Sequence, residues 1–157
     1  MEKQLIISYT EYDSIAGMPL EDQELMRHAI AALDNAYAPY SQFHVGAALR
    51  LGNGKIITGN NQENLAYPSG LCAERTAMFS ASSQYPDAFF DALAVVGRNP
   101  QGQLVAAAPC GACRQVMAEY EQRHHRAMKI YTYLEGGKIR RFDGVESLLP
   151  FSFSAEF

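Results

Sequence analysis

Three cysteines and one glutamate are the residues of this sequence best suited to chemistry. Cys110 and Cys113 stand three apart in Pro109-Cys110-Gly111-Ala112-Cys113-Arg114. On a helix such a pair shares one face, with Cβ atoms about 5–6 Å apart. Two thiolates on a tetrahedral zinc sit about 3.8 Å apart, given a zinc–sulfur distance of about 2.3 Å, so the two geometries are compatible. Cys72, 38 residues upstream of Cys110, opens another helix-like stretch. It supplies a third thiolate if the two helix N-termini meet, and such termini favour the thiolate form. Three protein ligands leave a fourth position open for water or substrate, which is the mark of a catalytic zinc.

No histidine has the spacing to close that position. His124 and His125 follow Cys113 on the same expected helix by 11 residues or more, about 16 Å along its axis. His28 and His44 stand alone and read as surface or packing residues. Glu74, two residues after Cys72, is near enough to exchange protons with a water at the open position. The plainer alternative is a first-turn glutamate that complements the helix dipole. Zinc with three thiolates carries a net charge of −1 and acidifies water less well than zinc on neutral imidazoles. Something must offset that charge. Two helix N-termini contribute about half a positive unit each, and Arg75 and Arg114 follow their cysteines closely enough to donate to sulfur; otherwise both are solvated surface cations.

The elements that would position these residues alternate between helix and strand. Residues 20–37 carry Leu20, Leu25, Met26, Ala29, Ile30, Leu33 and Ala36 at spacings of three and four, with Pro39 beyond, which predicts an amphipathic helix. Strands are expected at 43–51 and 55–59, joined by a tight turn at Gly52-Asn53-Gly54. A helix from Cys72 to about Ser83, a buried strand over 93–97 and a helix from Pro109-Cys110 to about His124 come next. Strands at 128–134 and 138–142 and a short helix at 145–149 complete the series. Five strands and about four helices predict a layered α/β sandwich.

Composition excludes several classes. The 157 residues suit one domain (1–157) that buries roughly two-thirds of its unfolded surface. Acidic residues outnumber basic ones 17 to 13, and no Lys/Arg run is longer than Arg140-Arg141, which argues against nucleic-acid binding. Leu5-Ile6-Ile7 is too short for a signal peptide or a membrane span, so a cytoplasmic protein with no membrane partner is expected. An odd cysteine count with one C-x-x-C suits a metal or redox site in a reducing compartment.

Five blocks together resemble the small homotetrameric cytidine deaminases. They are Tyr37-Ala38-Pro39-Tyr40-Ser41-Gln42-Phe43-His44-Val45-Gly46-Ala47-Ala48-Leu49, Gly59-Asn60-Asn61-Gln62-Glu63-Asn64, Cys72-Ala73-Glu74-Arg75-Thr76-Ala77, Pro109-Cys110-Gly111-Ala112-Cys113-Arg114-Gln115 and Leu148-Leu149-Pro150. A single C-x-x-C is weak evidence, whereas five blocks in the family's order are specific. The resemblance runs from about residue 20 to the C-terminus, leaving 1–19 as an N-terminal extension.

What the resemblance implies is a three-layer α-β-α sandwich on a five-stranded mixed sheet and one Zn2+ per subunit on Cys72, Cys110 and Cys113. It also implies hydrolytic deamination of cytidine or 2'-deoxycytidine in pyrimidine salvage. Glu74 would be general acid and base, moving a proton from the attacking water to pyrimidine N3 and then helping ammonia leave C4. Asn61 and Glu63 would hold sugar hydroxyls, as an amide and a carboxylate can. Phe43 and Ala73 would border the nucleoside, although an aromatic on a strand is otherwise a packing residue. Phe153 would enter a neighbouring subunit's pocket, giving shared active sites in a homotetramer, with Tyr67 near the subunit junction; filling its own core is the alternative for Phe153.

Leu65-Ala66 and Pro68-Ser69-Gly70 depart from the family pattern beside the sugar pocket. Two other deaminase classes use related chemistry. One acts on an antibiotic or modified nucleoside such as blasticidin S; the other edits nucleic acid, where the resemblance predicts a histidine at the position of Cys72. A structural zinc clip or C-x-x-C redox pair in an interaction protein is the non-enzymatic alternative.

Overall fold

The computed structural model describes residues 1–154. In chain order it forms β1 (Thr10–Tyr12), α1 (Leu20–Ala32), β2 (His44–Leu51), β3 (Ile56–Asn60), α2 (Ala73–Gln84), β4 (Phe90–Arg98), β5 (Leu104–Val105), α3 (Gly111–His124), β6 (Lys129–Tyr133) and β7 (Ile139–Phe142). The strands make one sheet in the order β1-β7-β6-β4-β2-β3, with β5 paired to the end of β4. Only β4 and β6 run parallel, because α3 crosses between them. The sheet is therefore mixed, as expected.

Alternation along the central strands sorts the core into two layers. Ala47, Leu49 and Leu51 of β2 and Leu93 and Val95 of β4 face one side, where they pack with Ala77 and Met78 of α2 and Met117 of α3. Ala48, Ala92, Ala94 and Val96 face the other side and meet Leu25, Met26 and Ala29 of α1. This is the three-layer sandwich. Glycines set the layer spacing. A Cβ on Gly46 would stand 2.1 Å from the Ala29 carbonyl oxygen, and one on Gly59 would stand 2.4 Å from that of Ala73. Helices α1 and α2 thus ride directly on the sheet backbone.

The sheet has seven strands rather than five. The two additions are very short: β1 lies within the N-terminal extension and pairs with β7 (Thr10 opposite Arg141, Tyr12 opposite Ile139), and β5 pairs Val105 with Gly97. Segments of three and two residues carry no readable periodicity. Helix α1 stops at Ala32 and tightens into a 3-10 turn at Leu33–Asn35, and the helix expected at 145–149 is a single 3-10 turn, Val145–Ser147. The β2–β3 turn is a three-residue loop. Gly54 N–H bonds to Leu51 O at 2.9 Å, and Gly54 takes φ +83, the left-handed conformation that ends such loops.

A buried polar network fastens α1 to the sheet. Asp22, with no exposed surface, accepts from Arg50 Nη2 at 2.8 Å and from the Tyr131 hydroxyl at 2.6 Å. Arg50 also donates from Nε to Asp91 at 2.8 Å. Removing one partner leaves the other charge buried with too few partners. Asp22→Ala should therefore lower the unfolding free energy by about 3–5 kcal/mol, measured by urea denaturation followed through circular dichroism.

Candidate active site

Two helix N-termini, those of α2 and α3, converge on the side of the sheet opposite α1. Cys72 is the residue that precedes α2 and Cys110 the one that precedes α3; both have extended backbone (φ −70, ψ 157 and φ −68, ψ 168). Each thus stands one position outside the helix it was expected to open. Cys113 lies in the first turn of α3 and is buried. Its sulfur is 3.5 Å from that of Cys110, which in turn is 3.7 Å from that of Cys72, and all three lie within 4.8 Å of one another. These separations match the edges of a zinc–thiolate tetrahedron. Exposure is graded, from buried Cys113 through half-buried Cys72 to exposed Cys110, so the cluster opens on one side.

The protons on these sulfurs are unevenly held. A hydrogen bond from Cys113, helped by Arg75, pulls the Cys72 thiol down to about 5. The same hydrogen bond to Cys72, with burial, pushes the Cys113 thiol up. A cation that replaces the shared proton removes the conflict, which is what a thiolate-binding metal does. The residues present therefore fit zinc.

Glu74 sits in the first turn of α2 and is 3% exposed. Burial pushes its carboxyl up to about 7, and the negative charge at Cys72 adds to the effect. Arg75 donates from Nη2 to the Cys72 sulfur at 3.6 Å. Arg114 does not follow its expected course. Its Nε donates to Pro109 O and its Nη1 to Leu148 O, both at 2.8 Å. These two bonds tie the C-terminal segment to the cysteine loop.

Beside the cluster lies a pocket of about 800 Å3, within the usual range for small-molecule sites. Phe43, Asn61, Glu63, Ala73, Glu74 and Cys72 all line it. Phe43 is half-buried at the start of β2, with its ring against Gly97, where a Cβ would come within 2.8 Å. It is a wall of the pocket and not a member of the core. Asn61 is pinned in the sheet direction: its Oδ1 accepts from Val45 N–H at 2.8 Å and its Nδ2 donates to Phe43 O at 2.9 Å. One N–H and one lone pair remain on that amide. Glu63 accepts from the backbone N–H of Tyr40 at 2.9 Å and of Ser41 at 3.3 Å, and from the Ser41 hydroxyl. The Ser41 bond is foremost in holding its carboxyl below the ordinary value.

Phe153 is not among the pocket residues of its own chain. It is 83% exposed, and its carbonyl accepts from Gln115 Nε2 at 2.9 Å. Tyr67, also exposed, meets Tyr40 edge-on at the pocket rim. Sequence reasoning passed over two parts of the site. Ala106, Ala107 and Ala108 form one wall, fixed by Ala107 N–H to Tyr133 O at 3.2 Å, and Ser41 braces Glu63. Closeness to Cys110 was the signal available for the alanines, and for Ser41 its place in the first of the five blocks.

The sequence model for the cytidine and deoxycytidylate deaminase zinc-binding region matches residues 19–128. The chain belongs to this family. It is 42% identical to a cytidine deaminase of Halalkalibacterium halodurans over 137 residues, 87% of this chain and 97% of that one. A solved cytidine deaminase from Burkholderia pseudomallei is 41% identical, superposes with a TM-score of 0.70, and covers 83% of this chain and 97% of its own. A blasticidin-S deaminase of Bacillus cereus is 29% identical over 140 residues, 85% of this chain and 93% of that one. The matched region is a zinc-binding one, and the three clustered thiols here are consistent with a zinc site.

Replacing the buried ligand should empty the site without dismantling the sheet. For Cys113→Ser, zinc measured by mass spectrometry after dialysis should fall from about one ion per chain to below about a tenth. Wild-type zinc content in that variant would remove Cys113 from the ligand set.

Proposed function

We propose that this protein hydrolyses cytidine and 2'-deoxycytidine to uridine and deoxyuridine with release of ammonia. The observation that carries the reading is Glu74. It is a buried carboxyl, with its proton affinity raised to about 7, between an open three-thiolate corner and a nucleoside-sized pocket. A group so poised accepts and returns protons at neutral pH. Zinc held by Cys72, Cys110 and Cys113 supplies the Lewis acidity that makes a water nucleophilic.

The chain's own residues do the rest. Glu74 takes one proton from the attacking water and gives it to pyrimidine N3, as oxygen bonds to C4. It then passes the remaining water proton to the amino group, the C4–N bond breaks, and ammonia leaves. The product keeps the proton on N3 and the oxygen on C4, so the water is fully accounted for. Arg75 offsets charge on Cys72, Phe43 and Ala73 border the base and sugar, and Asn61 and Glu63 offer the sugar hydroxyls their remaining hydrogen-bond capacity.

Identity favours cytidine over blasticidin S, at 42% against 29%. The net charge of −4 disfavours a nucleic-acid substrate. Among the described residues no helix is long and apolar enough to cross a membrane, and a cytoplasmic location belongs to the same reading. Glu74→Gln should keep zinc and fold while cytidine turnover, followed by ultraviolet absorbance, falls at least about 100-fold. Unchanged turnover would reject the proton shuttle, and wild-type protein inert toward both nucleosides would reject the substrate.

The reading extends to a homotetramer with shared sites. Phe151 and Phe153 stand 95% and 83% exposed in the C-terminal segment that Arg114 and Gln115 bond to α3, an unfavourable state for two aromatic rings in an isolated chain. Co-expressed Glu74→Gln and Phe153→Ala chains should then form mixed oligomers more active than the two variants assayed apart. Activity no greater than their average would return Phe153 to its own subunit.

A further inference from the structure

Glu63 is the group in the proposed sugar site whose own bonds most restrict what it can accept. A carboxylate has about four lone-pair positions. Two hydrogen bonds, from Tyr40 N–H at 2.9 Å and Ser41 N–H at 3.3 Å, fall on Oε2 and fill that oxygen. Oε1 receives the Ser41 hydroxyl and keeps one position free. The Ser41 oxygen in turn accepts from Phe43 N–H at 3.1 Å, which fixes its hydroxyl proton toward the carboxylate. Ser41, Phe43 and Glu63 all line the pocket. One serine thus connects the carboxylate to the backbone of the aromatic wall.

We infer that Ser41 is a positioning residue for the sugar, aiming Glu63 Oε1 at a donating hydroxyl of the nucleoside. The inference deepens the proposed function and rests on Glu63 being a sugar ligand. A fixed acceptor of this kind selects a substrate hydroxyl that can donate, because an acceptor placed against it meets a lone pair. The backbone bonds to Oε2 survive removal of the serine hydroxyl, so the carboxylate stays in the pocket but swings more freely about that anchor. The expected loss is in binding and not in the chemical step, since Glu74 and the thiols lie on other segments.

The test combines three variants with two nucleosides. Ser41→Ala should raise the KM for cytidine about 3- to 10-fold, the worth of one hydrogen bond, with kcat within about twofold of wild type. Ser41→Thr, which restores a hydroxyl, should recover most of that loss. The inhibition constant of 2',3'-dideoxycytidine, measured as a competitor of cytidine, should be the same in Ser41→Ala as in wild type, because it lacks the 2'- and 3'-hydroxyls, the ring hydroxyls from which Glu63 Oε1 would accept. An equal loss for the dideoxy competitor would make Ser41 merely structural and overturn the inference. So would an unchanged cytidine KM in Ser41→Ala while Glu63→Gln is impaired. If Glu63→Gln itself binds cytidine normally, the sugar reading falls, and this inference with it.

Discussion

Three sulfurs within 4.8 Å of one another require the first turns of α2 and α3 to meet, and neither helix can enforce that alone. The constraint is met from the sheet. Helix α2 is pressed onto β3 at Gly59, where no side chain would fit beneath Ala73, so the residue next to Cys72 is fixed by backbone contact. Helix α3 is fixed by its place between β4 and β6, the one parallel pair, and by Met117 packing into the core shared with α2. With the strands as a common floor, Cys72 and Cys110 come to face each other as residues just outside two helices. That position suits a ligand: the backbone is extended, the side chain is free of the helical rotamer limits, and the helix dipole favours the anion.

Charge is the second consequence of this convergence. Around the same point stand three thiols and a carboxyl, and burial of Glu74 raises its affinity for a proton while the contact with Arg75 and Cys113 lowers that of Cys72. The carboxyl and the thiol therefore move in opposite directions, so one can be protonated while the other is an anion. Only one arginine serves the sulfurs. Arg114, which the spacing from Cys113 marked as a second donor, bonds the carbonyls of Pro109 and Leu148. Arg75 and the two helix N-termini are the positive groups that stand beside the sulfurs, and Arg114 holds the loop that carries Cys110.

Sequence pattern disclosed what has local periodicity or short-range chemistry. The spacing of Leu25, Met26, Ala29 and Leu33 reveals α1, and the C-x-x-C and the Cys72-Ala73-Glu74 step reveal the metal corner with its carboxyl. Other features depend on partners far away in sequence. Asp22 looks like a first-turn acid of α1, yet it is buried against Arg50 and Tyr131, separated from it by 28 and 109 residues. Strands β1 and β5 exist only because β7 and β4 offer free edges. Arg114 has two sulfurs nearby in sequence, but its fork matches two carbonyls better than a single soft acceptor. In each case local type gave the charge, and tertiary geometry chose its partner.

At Asn61 and Glu63 the lining of the pocket and the local fold become one problem. Asn61 bonds the backbone on either side of His44, and Glu63 bonds the backbone at Tyr40 and Ser41, so between them they hold the entry to β2 in place. That same entry carries Phe43, the aromatic wall. A polar side chain that only bound substrate would face an open pocket with its conformational freedom intact, and ordering it would subtract from affinity. Here the ordering cost is met on folding, by bonds to backbone groups that need partners in any case. These two pocket side chains are thus already rigid, and their geometry depends on β2 keeping its register with β3 and β4.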